Sequence, residues 1–275
     1  MSEEIALTGG NVNDQVVRVR NTVRRSITAV SPTVHKFLLH LEEKGFEACP
    51  KFLGVDSKQR EVLSFLEGET GIPGYIWQDD RSLVATAQLL KKYHEATLDF
   101  PKDESLVWGI SYPDVSRHEV ICHNDFAPYN FIFRQKLPYA VIDFDLIGPG
   151  PRLRDIAYAA YWLTPLSFNT ANQKPYTEAD IDSHSRKLHL FCKMYGVQAS
   201  TELLDMVAEV LSFMGDRAQA EKVLGVEGAS KLEKEGHLAH WRAEANAFDK
   251  NRCRLEANLG KEYLTAENAI DSSSD

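Results

Sequence analysis

Long apolar runs, closely spaced cysteines and an excess of basic residues are absent from this 275-residue sequence. No apolar run approaches the roughly 18 residues that a membrane-spanning helix needs, so we expect no membrane partner. Lys and Arg number 31 against 40 Asp and Glu, which gives a formal net charge of −9. Such an acidic chain is a poor match for polyanions, so we also expect no nucleic-acid partner. The charge leaves room for a cationic ligand without requiring one.

The cysteines and the first residues point to a reducing compartment. The four cysteines lie far apart in the sequence and contain no Cys-x-x-Cys pair, which favours reduced thiols over a disulfide framework. The segment Met1 to Ile5 has no basic stretch followed by an apolar one, so we expect no signal peptide. We therefore predict a cytoplasmic protein, and the composition leaves its oligomeric state open.

The order of predicted elements divides the chain into two parts. Residues 1–67 consist mainly of short β-prone segments, with one helix that starts near Pro32. Residues 68–275 are mostly helical, and a Gly- and Pro-rich stretch at 68–74 predicts the linker between the two parts. Because strands and helices are segregated, the pattern predicts an α+β fold with a small strand-rich domain at 1–67 and a helical domain at 68–275.

A polar loop between two apolar strands carries the most informative motif. The segment 120–133 contains His123, Asp125 and Asn130 in the spacing His-x-Asp-x-x-x-x-Asn, and the next apolar strand ends at Asp143. A short turn between these strands predicts a hairpin that brings Asn130 and Asp143 close together at one end. Two hard oxygen ligands suit Mg²⁺, which binds few protein carboxylates and completes its shell with phosphates and water.

This motif, followed by an Ile-Asp-Phe-Asp sequence that ends at Asp145, resembles the aminoglycoside phosphotransferase and choline kinase family. A leucine-rich helix ending at His94 and a Gly-rich turn at 148–151 that leads to Asp155 are also similar to this family. The resemblance implies a two-lobed, protein-kinase-like fold with a reduced strand-rich N-lobe and a mostly helical C-lobe. It also implies ATP or GTP with Mg²⁺ as phosphoryl donor and a small-molecule hydroxyl as acceptor.

The resemblance and the chemistry of phosphoryl transfer assign roles to the motif residues. Asp125 and His123 form the catalytic set, in which Asp125 accepts or orients the proton of the substrate hydroxyl and His123 organises the loop. Asn130 and Asp143 would hold Mg²⁺ against the nucleotide phosphates, and Asp145 is either a further metal ligand or an acid behind the first two. The competing interpretation of these side chains is that they stabilise turns.

Asp155 is expected to be structural. It lies at the start of a predicted helix, where a carboxylate caps the helix, and we expect it also to brace the catalytic loop.

The strand-rich part departs from the family pattern. The family carries a lysine on its third strand, paired with a glutamate on the following helix, whereas the matching strand here ends in Arg24 and Arg25 and the facing helix position is His35. Either arginine could replace the lysine, because guanidinium binds phosphate well. The alternative is that both are surface residues on an edge strand. A Gly9-Gly10 pair either covers the phosphates or forms an ordinary turn.

The adenine site is expected where the two parts of the chain join. By resemblance, a purine would bind the backbone of Phe65, Leu66 and Glu67, and the alternative is an ordinary edge strand. The acceptor site is undefined, because each acid and tryptophan that could contact a cationic acceptor could equally lie on a solvated or packed helix face. These residues are Asp205, Glu209, Asp216, Glu244, Trp162 and Trp241. The nearby pair His237 and His240 is interpreted as packing.

The sequence therefore predicts an ATP- or GTP-dependent small-molecule O-phosphotransferase, with an aminoglycoside- or choline-like compound as one kind of acceptor. The missing lysine and the small N-lobe keep a second hypothesis open, a nucleotide-binding pseudokinase or scaffold without turnover. A protein kinase ranks third, because no Ala-Pro-Glu or activation-loop-like stretch follows Asp143.

Overall fold

The computed structural model describes residues 3–7, 16–102, 105–169 and 175–263. The Gly9-Gly10 pair lies outside the described residues, so its predicted role stays a prediction. The chain divides into two compact units, Met1–Gln78 with Leu89–Asp155 and Asp79–Gln88 with Ile156–Asp275. The proposed domain boundary after residue 67 also stays a prediction.

The first unit begins with an antiparallel sheet of five strands. In chain order these are β1 (Ile5–Ala6), β2 (Val17–Val19), β3 (Thr22–Ser26), β4 (Phe52–Val55) and β5 (Arg60–Ser64), and in space they lie in the order β1-β2-β3-β5-β4. Strand β3 pairs with β2 on one side and β5 on the other. The alternative that Arg24 and Arg25 lie on an edge strand is therefore wrong. The register instead places Arg25 opposite Glu61.

Helix α1 (Ser31–Glu43) connects β3 to β4 and forms as the sequence predicts. A proline occupies its first turn, where the missing N–H costs no helical hydrogen bond. Phe37 is fully buried, and its ring centroid lies 5.1 Å from that of Phe100 and 6.0 Å from that of Phe144. The helix is thereby fixed to the segment that follows Asp143. The apolar residues buried at helical spacing are Val34, Phe37, Leu38 and Leu41.

Two short strand pairs hold the His-x-Asp-x-x-x-x-Asn motif and Asp143. The predicted hairpin is confirmed: β7 (Phe131–Arg134) pairs with β8 (Leu137–Val141) in antiparallel register. The Gly-rich stretch expected to be a turn is instead strand β9 (Gly148–Gly150), which pairs with β6 (Val120–Cys122). Helix α3 (Arg152–Leu163) follows β9 directly. The loop between β6 and β7 is thus held at both ends by hydrogen-bonded strands.

Helices make up the second unit. Helix α2 (Arg81–Ala96) begins in this unit, and α4 (Glu178–Tyr195), α5 (Thr201–Gly215), α6 (Arg217–Lys234) and α7 (His237–Glu256) follow α3. Helix α4 starts with a capping box between Thr177 and Asp180. A break at Gly225, where φ is +73°, interrupts α6. Strands in the first part and helices in the rest confirm the α+β class.

Across the described residues, no helix combines the length and the apolarity that are needed to cross a membrane.

Gly148 lies where two backbone segments approach each other closely. A Cβ atom at this position would lie 2.0 Å from the carbonyl oxygen of Ile110, and the backbone of Ile110 would have to move to make room. Gly74, by contrast, has no atom within 4 Å of the position of its Cβ. Only Gly148 therefore requires the absence of a side chain, and Gly74 serves as its matched control.

We expect Gly148→Ala to lower the free energy of unfolding by about 1–3 kcal/mol, because the added methyl overpacks a rigid contact. Urea denaturation of the variant and the wild type measures this difference. Gly74→Ala should stay within about 0.5 kcal/mol of the wild type. Equal losses in the two variants would show that the close contact at Gly148 does not decide the outcome.

Candidate active site

The end of the β7–β8 hairpin brings Asn130 and Asp143 together. Asn130 directly precedes β7, Asp143 follows β8, and the amide of Ile142 donates a hydrogen bond of 2.9 Å to the carbonyl of Asn130. Asp143 adopts a left-handed backbone with φ of +67°, and its side chain is half exposed. Such a backbone is uncommon for a residue other than glycine and is found most often at functional sites.

Asp125 lies in a crowded, polar corner of the loop. Its carboxylate accepts hydrogen bonds from the Tyr129 hydroxyl and, at 2.8 Å, from the side-chain amide of Asn130. Burial raises the pKa of Asp125 to about 6, with the charge of Asp143 acting in the same direction and the two hydrogen bonds opposing it. A carboxylate that titrates near neutral pH and is held by two donors is suited to act as a general base.

Asp155 fixes the backbone of the same loop. Its fully buried carboxylate accepts hydrogen bonds from the amides of His123 at 2.7 Å and Asn124 at 2.8 Å, and from Nε2 of His94 at 3.1 Å. Burial alone would raise the pKa of Asp155, but these donors and the neighbouring histidines reverse the effect and lower it. The carboxylate therefore stays charged and holds the loop in one conformation.

His123 connects the loop to the residues that lead to Asp143. Its Nε2 lies 3.1 Å from the carbonyl of Ile142, so this nitrogen carries the proton, and its ring packs 4.9 Å from that of Phe144. Burial lowers the pKa of His123 to about 4. The imidazole is therefore neutral at pH 7 and does not titrate in the range where a phosphotransferase base would act. This geometry suits an organising residue rather than an acid or base.

The guanidinium of Arg25 lies against the aspartates that follow the hairpin. Nη2 and Nη1 donate to the two carboxylate oxygens of Asp145 at 2.6 and 3.0 Å, and Nη1 lies 3.5 Å from Asp143. Loss of hydration and the charge of Asp145 together raise the pKa of Asp143. The fold thus places Arg25, Asp143 and Asp145 in one cluster, although Arg25 precedes them by more than 100 residues.

Glu61 completes this cluster and was missed by the sequence analysis. Its fully buried carboxylate accepts a hydrogen bond from Nε of Arg25 and one of 2.5 Å from Nε2 of His35. The one signal in the sequence is an acid inside the apolar strand β5. A buried charge of this kind needs partners, but the sequence does not show which strand supplies them.

Arg24 is not brought to the cluster. As neighbours on a strand, Arg24 and Arg25 point to opposite faces of the sheet. Nε of Arg24 lies 3.5 Å from the carboxylate of Asp56 in the turn between β4 and β5. Of the two arginines, only Arg25 therefore lies near the proposed metal ligands.

The expected adenine segment follows β5 and is held by neighbouring side chains. The guanidinium of Arg18 lies 3.7 Å above the ring of Phe65 and forms an ion pair of 2.5 Å with Glu67. The carbonyl of Glu67 accepts a hydrogen bond of 2.8 Å from the Tyr139 hydroxyl. Leu66, between them, is partly buried. Side-chain contacts therefore hold this segment on both sides of Leu66.

Two other residues of the loop architecture were not predicted. Asn124 has a left-handed backbone with φ of +65°, and its side chain donates to the carbonyls of Ile110 and Leu146 at 3.0 and 2.7 Å. The buried Arg154 donates to the Asn124 side chain at 2.7 Å. An asparagine between His123 and Asp125 favours such a backbone, which is the signal that could have pointed to this role.

The candidate acceptor residues have mostly structural contacts. Asp205 forms an ion pair of 2.7 Å with Arg252, and Asp216 caps helix α6. Glu244 is buried and accepts hydrogen bonds from the hydroxyls of Tyr161 at 2.9 Å and Ser167 at 2.7 Å. The remaining candidates are the exposed Glu209 and an aromatic cluster on α3 and α7 that contains Trp162, Trp241, Tyr158 and Tyr161.

The donor set at the hairpin end fits Mg²⁺. The carboxylate of Asp143 and the side-chain carbonyl of Asn130 are hard oxygen ligands, and Mg²⁺ in kinases is bound by one or two such groups plus phosphate oxygens. Over the described ranges 3–7, 16–102, 105–169 and 175–263, no group of three or more His, Cys, Asp or Glu side chains is arranged to hold a metal ion. Asp145 is directed to Arg25 by two hydrogen bonds, so Asn130 and Asp143 are the better pair of ligands.

Known proteins resemble this chain in sequence. The sequence matches the model of the phosphotransferase enzyme family over residues 103–188, a range that contains the catalytic loop, the hairpin and Asp155. Over 203 residues it is 31% identical to the trifolitoxin immunity protein of Rhizobium leguminosarum bv. trifolii. That match covers 72% of this chain and 76% of the relative.

Solved structures of small-molecule kinases share the fold. The choline kinase of Cryptosporidium parvum Iowa II has a TM-score of 0.54 at 13% identity, over 94% of this chain and 93% of that chain. A choline/ethanolamine kinase family protein of Mesorhizobium loti has a TM-score of 0.53 at 13% identity, with the same coverage. The ADP-bound aminoglycoside phosphotransferase APH(2'')-Ib has a TM-score of 0.53 at 14% identity, over 90% of this chain and 95% of that chain.

These similarities confirm the kinase-like fold that the motif predicts. The sequence match and its coverage, added to a loop and hairpin that bring His123, Asp125, Asn130 and Asp143 together, lead to one conclusion: this chain belongs to the phosphotransferase enzyme family.

Proposed function

We propose that this protein transfers the γ-phosphate of ATP or GTP to a hydroxyl group of a small molecule. The observation that carries the proposal is the environment of Asp125. This carboxylate has a pKa raised to about 6, is oriented by Tyr129 and Asn130, and adjoins the Asn130–Asp143 pair. A base for the acceptor hydroxyl and oxygen ligands for a nucleotide-bound cation are the two things that phosphoryl transfer requires most.

In this mechanism the acceptor oxygen forms a bond to the γ-phosphorus while the bond from that phosphorus to the bridging oxygen of the nucleoside diphosphate breaks. Asp125 receives the proton of the acceptor hydroxyl, and Tyr129 and Asn130 keep its carboxylate oriented. Asn130 and Asp143 would hold Mg²⁺, which neutralises phosphate charge when it is bound. Arg25 supplies a second, permanent positive charge for the phosphates.

The nucleotide is proposed to bind along β3 and the segment Phe65 to Glu67. Support comes from the position of Arg25 at the proposed metal ligands and from the fold that this chain shares with the ADP-bound aminoglycoside phosphotransferase APH(2'')-Ib. His123 and Asp155 act on this site only through the loop backbone. The segment from Phe65 to Glu67 would contribute backbone groups, so either purine is compatible with it.

A second candidate function is protection against a toxic compound. It is favoured by the 31% identical relative, which is named an immunity protein. A phosphotransferase confers protection when its acceptor is the hydroxyl of an antibacterial molecule, because the added charge changes how that molecule binds its target. This candidate keeps the same chemistry and specifies only the purpose of the acceptor.

We expect Asp125→Asn to reduce kcat by about 10²- to 10⁴-fold, the usual contribution of a general base, with little change in the KM for nucleotide. The assay follows transfer of labelled phosphate from ATP or GTP, with Mg²⁺, to a panel of aminoglycosides, choline, ethanolamine and other hydroxyl compounds. Glu42→Gln, which removes an exposed ion pair with Lys51, is the control and should behave like the wild type. Equal turnover by Asp125→Asn and the wild type would refute the assigned base.

The pH dependence of kcat should report the same carboxylate. Because Asp125 acts in its deprotonated form, kcat should fall as the pH drops through about 6. The hydrogen bond from Tyr129 lowers the pKa of Asp125, so Tyr129→Phe should move this acid limb to higher pH. Steady-state kinetics at saturating substrates between pH 4.5 and 8 measure the acid limb in the wild type and in Tyr129→Phe. An acid limb that stays in place in Tyr129→Phe would contradict the assignment.

Protection is tested by producing the protein in a susceptible bacterium and measuring survival against a panel of antibacterial compounds. We expect the wild type to raise the inhibitory concentration of at least one compound and Asp125→Asn to lose that effect, since protection requires transfer. Protection that is undiminished in Asp125→Asn would favour binding without turnover, as in a pseudokinase.

A further inference from the structure

A partly buried chain of polar and charged groups crosses the first unit from helix α1 to the candidate metal ligands. It runs from His35 on α1 to Glu61 on β5, then to Arg25 on β3 and on to Asp145. The side chain of Glu61 has no exposed surface, and that of Arg25 is 10% exposed. Burial of an unpaired carboxylate is costly, so Glu61 can be buried in the strand only because Arg25 and His35 pair with it.

The contact with Glu61 decides how Arg25 is presented. Glu61 accepts its hydrogen bond from Nε, the guanidinium nitrogen that is bonded to the aliphatic part of the Arg25 side chain. Both terminal nitrogens are then left to reach Asp145 at 2.6 and 3.0 Å, and one of them also approaches Asp143 at 3.5 Å. A guanidinium is a rigid planar fork, so the position of Nε fixes the direction of the other two nitrogens. A lysine, with one nitrogen, could not make these contacts together.

The other oxygen of Glu61 is held by His35. Nε2 of His35 lies 2.5 Å from Glu61, and the imidazole ring stacks on Phe52 with centroids 3.8 Å apart and an interplanar angle of 14°. Helix α1 therefore supplies the donor, and strand β5 supplies the carboxylate. This differs from the family pattern, in which the helix carries the carboxylate, because here the acid that faces the basic residue of β3 lies in the neighbouring strand.

We propose that Glu61 and His35 are positioning residues for nucleotide phosphates, which hold the guanidinium of Arg25 with both terminal nitrogens at the Asp143–Asp145 end of the site. The inference rests on the proposed function, because it needs a nucleotide to bind there. It goes further because it names Glu61 and His35 as the residues that allow Arg25 to take the place of the absent lysine. Neither residue contacts the phosphates, and both act through Arg25.

A double-mutant cycle on binding tests this coupling. The dissociation constant of ADP is measured by calorimetry with Mg²⁺ present for the full-length wild type, Glu61→Gln, Arg25→Met and the double variant. We expect Glu61→Gln to weaken ADP binding about tenfold in the wild-type background and to have little effect once Arg25 is replaced, because coupled residues are not additive. Glu42→Gln, on α1 with an exposed ion pair to Lys51, is the matched control and should leave the constant unchanged.

A second pair of variants separates positioning from folding. His35→Gln keeps an N–H donor for Glu61 and should bind ADP within about twofold of the wild type, whereas His35→Leu removes the donor and should resemble Glu61→Gln. The thermal midpoint of each variant is measured alongside. Should Glu61→Gln fail to fold, the His35 pair decides the question by itself. A role confined to folding would lower the midpoint and leave the ADP constant of the folded protein unchanged.

Four results would overturn one or both of the proposals. An unchanged ADP constant in both Glu61→Gln and His35→Leu would overturn the positioning role, as would an equal effect of Glu61→Gln with and without Arg25. Intact ADP binding without phosphoryl transfer to any acceptor would overturn the proposed function alone. A wild-type protein that does not bind ADP with Mg²⁺ would overturn both proposals.

Discussion

The rest of the site depends on the hydrogen bonds that the buried carboxylate of Asp155 accepts. It accepts hydrogen bonds from two consecutive amides of the catalytic loop and from His94, and its pKa is lowered, so its charge is retained. Because the amides of His123 and Asn124 are fixed in this way, the side chain of Asp125 can project from one defined loop conformation. The left-handed backbone of Asn124, which asparagine tolerates better than most residues, is held by the same hydrogen bonds.

The loop and the hairpin place the carboxylates of Asp125 and Asp143 in different environments. Asp125 is partly buried and oriented by two donors, and its burial raises its pKa to about 6, whereas the side chain of Asp143 is half exposed and lies beside Arg25. These environments fit the proposed roles, in which Asp125 accepts a proton and Asp143 binds a cation. This difference between the two carboxylates is the physical reason to propose a phosphotransferase, and it does not depend on the identity of the acceptor.

The sequence predicts those parts of the site that are local in the chain. The hairpin that joins Asn130 to Asp143 spans fewer than 15 residues and follows from alternating apolar strands around a turn. Arg25 and Glu61 are 36 residues apart, and their contact depends on a strand order, with β5 next to β3, that composition and periodicity do not encode. The sequence predicts a turn at Gly148–Gly150 because Gly and Pro disfavour strands, yet the absence of a side chain at Gly148 lets a strand pass Ile110.

We expect this protein to transfer the γ-phosphate of ATP or GTP to the hydroxyl of a small molecule. The most direct test is phosphorus-31 NMR of the wild-type protein with ATP or GTP, Mg²⁺ and a panel of hydroxyl compounds. A phosphotransferase gives a new phosphomonoester resonance that grows as the γ-phosphate signal declines and the nucleoside diphosphate accumulates in equal amount. Nucleotide that binds yet keeps its γ-phosphate with every compound in the panel would show that the protein does not catalyse this transfer.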